Sequence, residues 1–109
     1  MYTVTKTFEV SAAHKLDLDY DSPCANLHGH NWKISVTCQS DTLDSNGMVL
    51  DFKNIKKFVQ RKLDHKNLNS VFSFNPTAEN IAYWICDNVP HCVKVMVQES
   101  EGNVAYYER

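Results

Sequence analysis

Glycine and proline are scarce here, three of each in 109 residues. A chain so poor in both is neither collagen-like nor a low-complexity linker. No internal repeat or charge run divides it, so residues 1–109 read as one domain. No basic run is present, and the net charge is −2 with neutral histidines. Nucleic acid is therefore not an expected partner. No stretch approaches the roughly 18 consecutive apolar residues of a membrane span. The opening MYTVTKTFEV alternates polar and apolar residues and lacks the apolar core of a signal peptide. The expectation is a soluble, cytoplasmic protein that engages no membrane. Disorder is excluded too, since 43% of the residues are hydrophobic and 11% aromatic. So short a domain buries only a moderate fraction of its surface. Sharing surface with copies of itself is a natural remedy.

No CxxC pair occurs, which argues against a cysteine-rich zinc knuckle. The four cysteines are Cys24, Cys38, Cys86 and Cys92. In the cytosol they stay reduced, and Cys38, Cys86 and Cys92 read as small buried hydrophobes.

The hydrophobic pattern predicts two strands, two helices, then two strands. The first strand covers about 2–13, with Tyr2, Val4, Phe8 and Val10 on one parity and Lys6 the exception. A loop of about 15 residues follows, long enough to suggest function. The second strand starts near His28 or His30 and runs through WKISVTCQS. Asp51 is a possible N-cap for a helix over 52–63, on the spacing of Phe52, Ile55, Phe58, Val59 and Leu63. DHKNLNSVFSFNP reads as a loop. Thr77 caps a second helix carrying Ile81, Ala82, Trp84, Ile85 and Val89, ended by Pro90. Strands over about 92–99 and 103–108 complete the chain.

Parity also places the polar groups. Residues two apart on a strand share a face. His28 and His30 share parity with Trp32, Ile34 and Val36; His14 with Phe8 and Val10; Glu99 with Val93, Val95 and Val97. All four fall on or beside apolar faces, where they need partners. In CANLHGH (24–30), His28 and His30 flank Gly29, which removes bulk between them. With His14 from the neighbouring strand they form a three-nitrogen set suited to zinc, leaving a coordination position open. The competing reading is ordinary polar loop histidines. Cys24 could be a fourth ligand, closing the site, or a thiol made acidic by a nearby cation. Asp64 beside His65 could orient the imidazole, or simply mark a helix end, where histidine is favourable. Glu99 could accept two parallel hydrogen bonds from a heterocycle with adjacent N–H groups, or reach water. The Thr77 hydroxyl could touch a ligand besides capping its helix.

FEVSAAHKL (8–16), CANLHGHNW (24–32), GMVLDF (47–52), LDHKNLN (63–69), NPTAENIA (75–82) and VQES (97–100) together resemble the 6-pyruvoyltetrahydropterin synthase family. The three-residue gap between Cys24 and HGH looks like its bacterial 6-carboxytetrahydropterin synthase branch, which serves queuosine biosynthesis. The resemblance implies the α+β tunnelling fold: a four-stranded antiparallel sheet with two helices on one face, in the order ββααββ. It implies trimers forming a continuous barrel, stacked as hexamers, with active sites between subunits. It implies Zn2+ on His14, His28 and His30, Cys24 as catalytic thiol, and Asp64 with His65 as a proton relay. Glu99 would anchor a pterin ring, with Thr77 in the same pocket. The implied reaction converts 7,8-dihydroneopterin triphosphate to 6-carboxy-5,6,7,8-tetrahydropterin, releasing acetaldehyde and triphosphate. The alternatives are the sibling 6-pyruvoyl reaction and a non-catalytic, zinc-stabilised binding protein. The loop 16–23 is acidic and holds no arginine for a triphosphate; Lys15 and Lys66 are the possible anion contacts.

Overall fold

The computed structural model describes residues 1–109. Strand β1 (Tyr2–His14) runs antiparallel to β2 (His28–Ser40), with Phe8 opposite Ile34, Val10 opposite Trp32 and His14 opposite His28. β4 (Cys92–Ser100) lies antiparallel to β2, with Ile34 opposite Val97 and Val36 opposite Val95. β5 (Asn103–Glu108) returns against β4 through a turn containing Gly102 at φ 84°, a backbone region where a side chain is strained.

Alternation then sorts the sheet into two faces. Phe8, Val10, Ala12, Trp32, Ile34, Val36, Cys38, Val95 and Val97 all point inward and are buried. Lys6 belongs to the same series and is only half-buried, opposite Val36. The helices α1 (Phe52–Leu63) and α3 (Ala78–Asn88) close this face with Ile55, Val59, Leu63, Ile81, Ala82, Ile85 and Cys86. Each large side chain buried there contributes about 1.5–3 kcal/mol. The opposite face is polar and carries cross-strand hydroxyl pairs, Thr5 with Thr37 at 2.9 Å and Thr7 with Ser35 at 2.7 Å.

Local chemistry sets the helix limits. An Asp51 carboxylate oxygen accepts from Lys53 N, and the Thr77 hydroxyl accepts from Asn80 N. Both are N-caps, satisfying amides that have no partner inside the helix. The expected stripe of α1 is narrower than its spacing suggested. Phe52 is 47% exposed and Phe58 40%. Phe52 lies in the first turn and lines a surface groove with Tyr2, Val4, Met48 and Leu50, while Phe58 stacks on Trp84.

The expected four-stranded antiparallel sheet with two helices requires correction. The sheet has five strands in the order β3-β1-β2-β4-β5 and is mixed, because β3 (Lys66–Asn67) runs parallel to β1. A third, one-turn helix, α2 (Leu68–Val71), follows it. Both lie in the segment read as a loop. Elements this short carry no hydrophobic period; tertiary contacts make them. His65 N donates to Ser11 O at 2.7 Å, and the Asn67 side chain caps α2 through Asn69 N. β3 binds β1 only at Ala12 and Ala13, so the rest of that edge is open, as is the outer side of β5. No helix is long and apolar enough to cross a membrane.

All four cysteines are free thiols; Cys38, Cys86 and Cys92 are buried as expected, whereas Cys24 is only half-buried. Burial pushes the Cys86 thiol up to about 11. Alkylation of the native protein at mildly alkaline pH should therefore label Cys24 and spare the other three until denaturant is added. Peptide mapping by mass spectrometry checks this.

Candidate metal centre and active site

At one end of the sheet the inward series changes from apolar residues to histidines. His14 closes β1 directly opposite His28, the first residue of β2. His30 follows on the same face, with Trp32 beneath. The three rings lie edge to face, with centroids 4.6 Å apart for His14 and His28, 5.3 Å for His14 and His30, and 4.9 Å for His28 and His30. The Trp32 ring contacts those of His14 and His30 and donates its indole N–H to Ala12 O at 3.1 Å.

Two of the rings are oriented by backbone carbonyls. His14 Nδ1 donates to Pro76 O at 2.8 Å, and His28 Nδ1 donates to Asn26 O at 2.7 Å. A carbonyl only accepts, so the proton sits on Nδ1 in the neutral ring and the Nε2 lone pair points elsewhere. Metal-bound imidazoles are oriented in this way. Asn26 and Pro76 escaped the sequence reading because their main chains do the work.

Glu99 enters from the end of β4, where the ladder to β5 shifts register between Gln98 and Ser100. Its Oε1 lies 3.1 Å from His14 Nε2 and 2.9 Å from His30 Nε2. His30 Nε2 is buried yet makes no well-aligned hydrogen bond despite that short distance. One ligand atom each from His14, His28, His30 and Glu99 gather within 4.8 Å of one another. Three imidazole nitrogens and a carboxylate oxygen form a donor set that fits a divalent cation such as zinc. The orphaned nitrogen of His30 supports that fit. Burial lowers the pKa of His30, with Glu99 opposing the shift, which favours the neutral, ligating ring.

Cys24 sits in a short 3-10 turn (Pro23–Ala25). Its carbonyl accepts from Leu16 N at 2.8 Å. It lines a cavity of about 330 Å³ with His28, His30, Glu99 and Asn103. It is outside the four-donor cluster, so its thiol borders the histidines' cavity without joining their donor set. Gly29 faces away from the histidines. A Cβ added there would meet Ala12 O at an ordinary 3.8 Å, so the expected need to remove bulk between the imidazoles is not what the structure displays.

Asp64 and His65 occupy the edge of β1. One Asp64 oxygen accepts from Ser11 N at 2.9 Å, and the other lies 3.7 Å from His65 Nε2. Asp64 is the C-cap of α1, where a negative charge is unfavourable toward the helix dipole. The Ser11 amide holds it there. His65 has φ 57° and is 84% exposed. With Lys66, Asn67 and His30 it lines a second cavity, of about 530 Å³, on the polar side of the sheet with Ser11, Gly29 and Asn31. One chain therefore does not put Cys24 and His65 into one cavity; only His30 borders both. Lys15 lines a third groove with Asp17 and Asn69.

Sequence reading missed the asparagines that hold the long loop. Asn69 accepts from Lys15 N at 2.8 Å and donates to Lys15 O at 2.9 Å. Asn75 does the same with Asp17, at 2.9 and 3.0 Å. Each carboxamide pairs with a peptide group as a neighbouring strand would. Their presence in LDHKNLN and NPTAEN was the available signal.

Replacing His14, His28 or His30 by Ala should leave the purified protein with well below one zinc per chain after dialysis. Cys24→Ala should keep its zinc. Elemental analysis of the dialysed variants checks both, and zinc loss from Cys24→Ala would make Cys24 a ligand.

The model of the family described as 6-pyruvoyl tetrahydropterin synthase matches residues 3–109. A 6-carboxy-5,6,7,8-tetrahydropterin synthase of Bacillus subtilis (strain 168) is 31% identical, over 97% of this chain and 84% of its own length. A 6-pyruvoyl tetrahydrobiopterin synthase of Homo sapiens is 30% identical, over 96% and 90%. Among solved structures, the 6-pyruvoyl tetrahydropterin synthase of Caenorhabditis elegans superposes with a TM-score of 0.78 at 27% identity, covering 99% of this chain and 95% of that one. Family match and shared fold agree: the chain belongs to the 6-pyruvoyl tetrahydropterin synthase family.

Proposed function

We propose that the protein is a zinc-dependent lyase acting on a pterin triphosphate. Its reaction takes 7,8-dihydroneopterin triphosphate and water to 6-carboxy-5,6,7,8-tetrahydropterin, acetaldehyde and triphosphate. The product would feed 7-deazapurine synthesis of the queuosine type, in the cytoplasm. The observation that carries the reading is the shared cavity of Cys24, two cluster histidines and Glu99. It combines imidazoles of a four-donor group fit for a divalent cation, a thiol outside that group and a carboxylate able to hold a heterocycle.

His14, His28 and His30 would hold the zinc, which as a Lewis acid would make protons on the substrate side chain more acidic. Glu99 accepts hydrogen bonds from the ring amine and amide and so fixes the side chain relative to the histidines. The Thr77 hydroxyl already accepts from Asn80 N; its own hydrogen is free to donate to the ring. Cys24, as thiolate, takes a carbon-bound proton from the side chain. His65, oriented by Asp64, gives and receives the second proton. In one chain His65 lines a different cavity from Cys24, so this relay needs a neighbouring copy. The open edges of β1 and β5 and the polar sheet face favour such an assembly: trimers closed edge to edge, stacked as a hexamer.

The 6-pyruvoyl reaction on the same substrate is the alternative, and the human relative keeps it in view. An inert zinc clasp closed by Cys24 is disfavoured because Cys24 stands outside the donor cluster.

Zinc-loaded protein incubated with 7,8-dihydroneopterin triphosphate should yield a 6-carboxy pterin and acetaldehyde, identified by mass spectrometry. A 6-pyruvoyl product would move the enzyme to the sibling reaction, and absence of turnover would remove the lyase reading. Cys24→Ala should lower kcat by at least about 100-fold, the scale of a lost general base. His65→Gly should lower it comparably while leaving the fold intact, because glycine accepts the positive φ of residue 65 at no cost.

A further inference from the structure

Glu99 borders two cavities. One, of about 330 Å³, holds Cys24, His28 and His30. The other, of about 300 Å³, is walled by Ala78, Glu79, Val104, Ala105 and Tyr106. It lies at the start of α3, just beyond Thr77. The carboxylate stands between a cluster of imidazoles and an empty space lined partly by apolar and aromatic side chains.

In the structure the carboxylate is committed to the imidazoles. Oε1 is 3.1 Å from His14 Nε2 and 2.9 Å from His30 Nε2. In the neutral His14 ring, Nε2 is an acceptor, because Nδ1 carries the ring proton and donates it in the hydrogen bond to Pro76 O. A carboxylate oxygen is also an acceptor. Two acceptors at this distance are reconciled by a positive charge between them, a proton or a metal cation, and the unpartnered His30 Nε2 faces the same oxygen, so three ligand atoms share that point.

We propose that Glu99 is the fourth metal donor of the substrate-free enzyme and is exchanged from metal to pterin when the ring binds. This rests on the reading of the site as a pterin site. The two tasks compete for the same oxygens. Holding adjacent N–H groups of a pterin takes both carboxylate oxygens side by side, and Oε1 is the atom that faces the imidazoles. The register shift at Gln98/Ser100 leaves Glu99 without a partner on β5, so its side chain can turn without breaking the ladder. Once it turns, the metal has one protein donor fewer and an open position for the hydroxyls of the substrate side chain. The site is closed at rest and opened by the ring it recognises.

Binding linkage makes the consequence reciprocal. A pterin without a side chain removes a metal donor and supplies none, so pterin and metal should weaken each other. A pterin that merely ligated the metal would strengthen it instead.

The test measures Co2+ affinity and visible absorption of the full-length protein and of Glu99→Gln, each with and without unsubstituted pterin. Without pterin, Glu99→Gln should bind Co2+ at least about tenfold more weakly, with an altered ligand-field spectrum. Pterin should weaken Co2+ binding to the unsubstituted protein by a similar factor and move its spectrum toward that of Glu99→Gln. Equal Co2+ affinity and spectra for the two proteins would overturn Glu99 as a ligand. Pterin that binds without weakening Co2+ would overturn the exchange while leaving the pterin reading intact. Failure of pterin to bind at all would overturn that reading and the exchange with it. His28→Ala, binding Co2+ weakly in every condition, reports that the metal measured is the one in this cluster.

Discussion

The site depends on the antiparallel register of β1 and β2. Because Phe8 faces Ile34 and Val10 faces Trp32, His14 must face His28, and His30 must share their side of the sheet. A slip of one residue would turn every one of these side chains to the other face. The buried apolar series therefore aligns the histidines as well as stabilising the fold. Trp32 joins the two roles, since its ring packs in the core and against two of the imidazoles. Extending the core by histidines rather than by a flexible loop gives the cluster the rigidity of a strand pair, which suits a metal site.

The second requirement is that buried polar groups be satisfied, and here the loops do the work. Pro76 O and Asn26 O fix two imidazoles. Asn69 and Asn75 bind the peptide groups of Lys15 and Asp17. Leu16 N donates to the carbonyl of Cys24, so the segment immobilised by the asparagines also places the thiol. A loop of this length would otherwise pay a high conformational entropy cost. Side-chain-to-backbone pairs replace the missing strand neighbours and carry the order of the sheet out to Cys24.

These two requirements explain what could be read in advance. The four long strands and the helix over 52–63 were legible because hydrophobic alternation and helical spacing are local signals. The same parity placed His14, His28, His30 and Glu99 on one side, where all four meet. The strand and one-turn helix at Lys66–Val71 were not legible, since their reason is an edge of β1 far away in sequence. Parity also gave no account of Cys24 relative to His65. Both lie outside the long strands, and a loop residue has no face until the chain around it is folded. Glu99 as a possible metal donor was hidden for a related reason. Its parity was visible, but its distance to the imidazoles depends on the register of β4 against β2.

Two faces of one sheet then divide the chemistry. The helix-covered face holds the histidines, Glu99 and Cys24; the polar face holds the cavity of His65 and Lys66. The longer helices lie on one face, none of the described elements covers the other, and the sheet ends in open edges. An open edge of unpaired peptide groups is a liability unless it is paired or shielded. Pairing edge to edge with further copies would resolve the exposed edges. In the same step it would enclose the hydroxyl-lined face, and the proposed relay of Cys24 and His65, which one chain does not bring into one cavity, would then span two copies. The surface left bare by a small core is thus the surface that copies of the chain would share under the proposed mechanism.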